Sequence, residues 1–281
     1  MKILVTGATG FIGNYVIEQL LEAEHIVIAT STNIETAKKK KWFKDVLFIE
    51  HDILKTTTEN LVEKFNKPDC LIHLAWSNLT DFKSQIHIDV ILPAHFTFLS
   101  NLLQNGLTDL TCIGTCLEYG MQEGELTENM LPKPTIAYPI AKNCLREKLE
   151  VLQKTTQFSF KWIRLFYMYG KGQSPKSILQ LLENALQNND TVFDMSLGDQ
   201  QRDYLPVSIV SENIITLASQ QKVSGIINCC SGLPITIKQL VHNYLKEKQK
   251  NIKLNLGYYP YTDYEPMSFW GSTKKIKSIT N

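Results

Sequence analysis

The sequence predicts an α/β protein, a doubly wound parallel sheet with a smaller C-terminal lobe. Two observations carry that prediction. A glycine-rich turn, Gly7-Ala8-Thr9-Gly10-Phe11-Ile12-Gly13, joins a β-branched run to a helical pattern at the N-terminus. Short apolar runs then alternate with helical patterns as far as Gly114. A βαβ series of this kind implies parallel strands with helices on both faces. The length of 281 residues suits one large domain with a lobe, and 43% hydrophobic with 20% charged residues is ordinary for a globular chain.

The elements follow in order. Residues 2–5 read as the first strand, and residues 14–23 as a helix with Val16, Ile17, Leu20 and Leu21 on one face. Between them the glycines have separate tasks in a Rossmann-type cradle. Gly7 takes the tight turn, Gly10 admits a pyrophosphate close to the backbone, and Gly13 lets helix and strand pack closely. The helix N-terminus offers unpaired N–H groups to the anion, so Thr9, Phe11 and Ile12 join the glycines as candidate cofactor contacts. Strands are expected at 25–30, 46–50, 70–75 and 110–114, with helices at 58–65 and 86–103. Ligand belongs at the carboxyl ends of such strands.

Strand two bears on which nicotinamide cofactor is bound. Readers of NAD carry an acid near its end, for the ribose 2′-hydroxyl. Here the end reads Ala29-Thr30-Ser31-Thr32-Asn33, without an acid. The side chains of Ser31, Thr32 and Asn33 can donate to a 2′-phosphate, and the basic run Lys38 to Lys41 can help neutralise it. NADP(H) is therefore expected, with NAD(H) as the alternative if Ser31 and Thr32 merely turn the loop and the basic run is a solvated helix end.

Charge and cysteines exclude other classes. A net charge of +1 gives no general case for nucleic acid or an acidic membrane as partner. No apolar run is long enough to span a bilayer. Met1-Lys2 runs straight into a strand, which reads as a chain without a leader. The six cysteines show no metal-type spacing and several lie in apolar surroundings, which suggests reduced thiols in the cytoplasm.

A second constellation is Tyr138-Pro139-Ile140-Ala141-Lys142. Four residues apart at a helix start, the two side chains share one face. A nearby ammonium is expected to lower the tyrosine pKa and make it a usable acid/base near neutral pH. By itself the pair also suits an amphipathic helix start.

Taken together, the motifs resemble those of the extended short-chain dehydrogenase/reductase family. They are the glycine turn at 6–13, His-Leu-Ala at 73–75, Gly-Thr-Cys-Leu-Glu-Tyr-Gly at 114–120, the Tyr138 motif, the segment 164–173, and Gly-Asp-Gln-Gln-Arg-Asp-Tyr at 198–204. The resemblance implies that Tyr138 protonates a carbonyl oxygen as hydride reaches its carbon. Lys142 would tune that tyrosine and bind the nicotinamide ribose, and Thr115 would hold the carbonyl oxygen. A hydroxyl simply satisfied at a strand end is the other reading of Thr115. The same resemblance implies that Asp52 and Ile53 meet the adenine, and that Leu74, Ala75 and Trp76 form the wall near pyrophosphate and ribose. Cys116, Tyr167 and Lys176 fall on the substrate side, with Cys116 more of a packing residue. Arg202 matches the arginine that members acting on nucleotide sugars place on the pyrophosphate, against a surface arginine paired with Asp199 or Asp203.

The branch within the family follows from departures. The 4,6-dehydratases carry Asp-Glu directly after the threonine, whereas Cys116-Leu117 stand here and Glu118 comes one position late. The 4-epimerases usually have the strand-two acid. The combined epimerase/reductases need a cysteine and histidine that are not in place. The chain then resembles the reductases of nucleotide-linked 4-keto-6-deoxyhexoses, with a dTDP-, CDP- or GDP-linked sugar as substrate. An NAD-dependent 4-epimerase and a non-catalytic NADP(H)-binding regulator remain the alternatives. Residues 1–169 are expected to form the Rossmann-type domain, with 192–228 returning to it. The substrate lobe would comprise 170–191 and 229–281. Its aromatics Phe269 and Trp270 suit either the substrate or the lobe core. A homodimer through helices 86–103 and 140–155 is expected by family analogy.

Overall fold

The computed structural model describes residues 1–280. The first half contains β1 (Lys2–Thr6), α1 (Phe11–Glu22), β2 (Ile26–Ser31), α2 (Ile34–Lys38), β3 (Leu47–Glu50), α3 (Leu61–Lys64), β4 (Cys70–His73), α4 (Leu92–Gln104) and β5 (Asp109–Thr115). It continues with β6 (Gly124–Leu126), α5 (Ala137–Leu152), β7 (Ser159–Leu165), β8 (Tyr167–Tyr169), α6 (Ile178–Gln187), β9 (Val192–Met195), β10 (Gln201–Pro206) and α7 (Val207–Ala218). The last part holds β11 (Gly225–Cys229), β12 (Pro234–Thr236), α8 (Ile237–Glu247), β13 (Lys253–Leu256), β14 (Phe269–Gly271) and α9 (Lys274–Thr280).

Seven strands form one sheet in the order β11-β7-β5-β4-β1-β2-β3, with every pair parallel. The strand order reverses between β1 and β4, which opens a crevice at their carboxyl ends. Alternation along β1 sends its side chains to opposite faces. Ile3 and Val5 pack with Val16, Ile17 and Leu20 of α1 and with Val210, Ile214 and Leu217 of α7. Leu4 packs on the other face with Leu99, Leu102 and Leu103 of α4 and with Leu145 and Leu149 of α5. Both faces are covered, which is why these strands read as continuous apolar runs.

Smaller sheets build the remainder. β10 joins β8 and β12, β9 pairs with β13, and β6 pairs with β14. Leu182, Phe193, Met195, Val241, Leu245 and Ile252 form a separate apolar cluster. β9, placed by the sequence boundaries with the main sheet, thus pairs with a strand from 229–281. Phe269 is 2% exposed and belongs to a cluster with Cys116, Tyr119, Phe166 and Cys230, so it serves the core. The six cysteines are free thiols. Among the described residues no helix is long and apolar enough to cross a membrane, and no His/Cys/Asp/Glu group could hold a metal ion.

Candidate active site

A cleft of about 390 Å³ lies at the crevice where the strand order reverses. Gly7, Thr9, Gly10, Phe11, Ile12, Gly13, Ser31, Thr32, Asp52, Ile53, Leu74, Ala75 and Trp76 all line it, as do His51, Leu54 and His95, which the sequence did not single out. Gly7 has φ +67°, and a Cβ there would stand 2.8 Å from the Ala75 nitrogen. A Cβ on Gly13 would come within 2.3 Å of the Gly7 carbonyl oxygen. These two contacts let α1 start directly beneath the cleft. Its N-terminus has no side-chain cap, leaving N–H groups for an anion.

The residues fit a nicotinamide dinucleotide. Ser31 Oγ and Thr30 Oγ1 at the end of β2 are buried without a hydrogen-bond partner among the described residues. Such orphaned groups ask for a ligand. Asn33 is not among the residues that line the cleft; its Oδ1 accepts the Thr36 N–H at 2.9 Å and caps α2. Lys38 is held by Glu35 at 2.7 Å. Lys39, Lys40 and Lys41 line a neighbouring cleft with Lys171, Thr9, Gly10 and Phe11.

Thr115 ends β5, and α5 starts with Tyr138 in its first turn, where Pro139 costs no intrahelical bond. Tyr138 is 8% exposed, stacked on Phe82 at 4.9 Å and flanked by the rings of His87 and Trp76. Lys142 is 2% exposed; its Nζ donates to the Ile113 carbonyl at 2.8 Å and lies 4.1 Å over the Trp76 ring. The expected lowering of the Tyr138 pKa is corrected. Burial raises it, the negative charge of Glu118 adds to that, and interaction with the Thr115 hydroxyl only partly opposes. Lys142 instead is pulled down to about 8, by desolvation first. Burial thus favours the phenol form of Tyr138, the form that can give up a proton.

Glu118 is fully buried behind Thr115. It accepts from the Thr115 N–H at 2.9 Å, from Trp162 Nε1 at 3.0 Å and from Arg164 Nε at 2.8 Å. It fixes the end of β5 and has no free edge toward a substrate.

On the far side, Arg202 is 1% exposed and lies over the rings of Phe269 and Tyr167. Its partner is neither Asp199 nor Asp203. It binds Glu265 at 2.9 Å and donates to the Gln201 and Met267 carbonyls. Asp203 instead accepts from Ser231 and Gly232. Cys116 is buried and its thiol pushed up by desolvation, so it packs rather than reacts. The Tyr167 hydroxyl is buried without a hydrogen-bond partner among the described residues. Lys176 is exposed. Glu265 escaped sequence reasoning because it lies 63 residues from Arg202.

The fold and this cradle define a nicotinamide-dinucleotide oxidoreductase scaffold. Residues 3–230 match the NAD dependent epimerase/dehydratase family, and the chain belongs to it. It is 29% identical to dTDP-6-deoxy-L-talose 4-dehydrogenase (NAD(+)) of Aggregatibacter actinomycetemcomitans, over 97% of this chain and 100% of that one. With dTDP-4-dehydro-6-deoxyglucose reductase of Escherichia coli it shares 23% identity over 91% of this chain and 84% of that one. In fold it is similar to UDP-glucuronic acid 4-epimerase of Bacillus cereus, solved with UDP-glucuronic acid and NAD, at a TM-score of 0.84 and 23% identity, covering 99% of this chain and 92% of that one.

Proposed function

We propose that the chain reduces the C4 ketone of a nucleotide-linked 4-keto-6-deoxyhexose to the alcohol, using NADPH. The observation that carries this reading is the buried Tyr138, with Lys142 one turn along α5, packed on Trp76 at the edge of a cleft whose lining fits the cofactor. Bound there, the cofactor supplies hydride. Thr115 and Tyr138 orient the carbonyl oxygen, and Tyr138 gives its phenolic proton to that oxygen as charge develops on it. Lys142 holds the cofactor ribose and returns a cationic charge beside the phenolate left behind. The role of Glu118 as a support for Thr115 argues against dehydration, which needs a free carboxyl at the sugar.

The relatives named for a 4-dehydrogenase and a 4-keto reductase support chemistry at C4 of a dTDP-linked deoxysugar. The missing acid on β2 and the lysines beside the glycine turn support NADPH. The NAD(+) in one relative's name favours the second reading, NADH. Tyr167, Arg202 and the segment that carries Glu265 form the sugar-nucleotide side in this proposal. A homodimer through α4 and α5 belongs to it as well.

The test is oxidation of NADPH and of NADH with a panel of dTDP-, CDP- and GDP-linked 4-keto-6-deoxyhexoses. One substrate should turn over at least tenfold faster with NADPH, and Tyr138→Phe should lose more than a hundredfold in kcat. Tight cofactor binding without turnover on any sugar would leave a regulator instead.

A further inference from the structure

Three buried side chains that the proposed chemistry does not use form a line into the cofactor cleft. Thr6 ends β1 and stands opposite His73 of β4 in the sheet register. Thr6 Oγ1 lies 2.9 Å from His73 Nδ1, and His73 Nε2 lies 2.8 Å from His95 Nδ1 of α4. Thr6 is 0%, His73 1% and His95 2% exposed. The line ends at His95, which lines the cleft together with Gly7, Ala75 and Trp76. His95 Nε2 makes no hydrogen bond to a described residue.

The direction of the line follows from donor counting. Thr6 Oγ1 accepts the Ala75 N–H at 3.3 Å, and among the described residues His73 Nδ1 is the acceptor within reach of its own proton. His73 then carries its proton on Nε2 and donates to His95 Nδ1. His95 in turn carries its proton on Nε2, the atom left for the cleft. Burial and the nearby Lys142 ammonium hold both imidazoles far below their ordinary pKa, so each is neutral and has a single N–H. A neutral donor suits an oxygen acceptor in a place where Lys142 already supplies the positive charge.

We propose that His95 is a cofactor-binding residue whose Nε2–H, oriented through Thr6 and His73, donates to an oxygen on the diphosphate–ribose stretch of the dinucleotide. His73 and Thr6 are positioning residues that fix the His95 tautomer. The inference rests on the cofactor half of the proposed function and is independent of the sugar.

The experiment is calorimetric binding of AMP, ADP and ADP-ribose, each also as its 2′-phosphate, to the apo protein and to His95→Phe and His95→Gln. His95→Phe should weaken ADP-ribose roughly three- to tenfold, the effect of one lost hydrogen bond, while AMP is unchanged. An equal loss for ADP places the acceptor on the diphosphate, and a loss for ADP-ribose alone places it on the ribose. Gln, which keeps an amide donor, should recover most of the affinity. If His95→Phe does not fold, ¹⁵N NMR of the wild-type imidazoles decides, with Nε2–H expected on both. Unchanged ADP-ribose binding, a matching loss for AMP, or an Nδ1–H tautomer on either ring would overturn the proposal. A wild-type protein that binds none of the fragments would instead sink the cofactor reading itself.

Discussion

Burial, more than mutual proximity, sets the state of Tyr138 and Lys142. The lysine spacing was visible in the sequence, but the aromatic surround was not, because Phe82, His87 and Trp76 come from the loop and helical turn after β4. The glycine turn was legible because few residues can take its backbone. The capping task of Asn33 was not singled out because an amide at a strand end can serve a ligand or the next helix, and its Oδ1 serves α2. Lys142 has a measurable consequence. Its pKa is about 8 in the folded chain against 10.5 when exposed. Between those values the unfolded chain holds a proton that the folded chain has released, so stability rises with pH across that window. Tyr138, whose pKa is raised, acts in the opposite sense only above its ordinary value of 10. The buried cysteine thiols, all pushed up by desolvation, act in the opposite sense from about pH 8, so the Lys142 share is read as a difference. In denaturant melts of the apo protein from pH 7.5 to 10, wild type should gain stability relative to Lys142→Met as pH rises, the thiols and Lys275 being common to both. An identical slope in the two proteins would mean that Lys142 is not desolvated.

At the scale of elements, each predicted strand of the main sheet lies within a residue or two of its observed place, since buried parallel strands announce themselves as apolar runs. Helices were less legible. The expected helix 86–103 begins as a π-turn at His87–Ile91 and becomes α-helical only with α4. Pro93 lacks the N–H that an α-helical register would use there, which shifts the preceding bonds. The expected helix 58–65 shortens to α3 because Asn60 caps it, accepting from Val62 and Glu63. The proposed homodimer would use the outer faces of α4 and α5 and the turn before α4. Val151 is 62% exposed, Val90 45% and Ile86 41%, and Phe96, Cys144 and Val151 border a groove with Glu147 and Lys148. Light scattering should give twice the chain mass, and Val151→Glu should shift it to the monomer. A wild-type monomer at assay concentrations removes the dimer from the account.

On the scale of the whole molecule, the sheet brings β1, β4 and β5 together, and Trp76 lines the glycine cleft while touching both Tyr138 and Lys142. The order of motifs along the chain was enough to expect the glycine turn at the end of β1. It was not enough to foresee that Glu265 would occupy the Arg202 guanidinium, because that contact depends on how the C-terminal segment returns over β10. The central claim is a single hydride transfer to C4 with no further rearrangement. Its most direct test is NMR of the sugar product formed from cofactor deuterated at the transferable nicotinamide position. The account predicts one deuterium at C4 per cofactor oxidised, in a single C4 configuration. Inversion at C4 without net cofactor oxidation, or a product with no deuterium at C4, would contradict it.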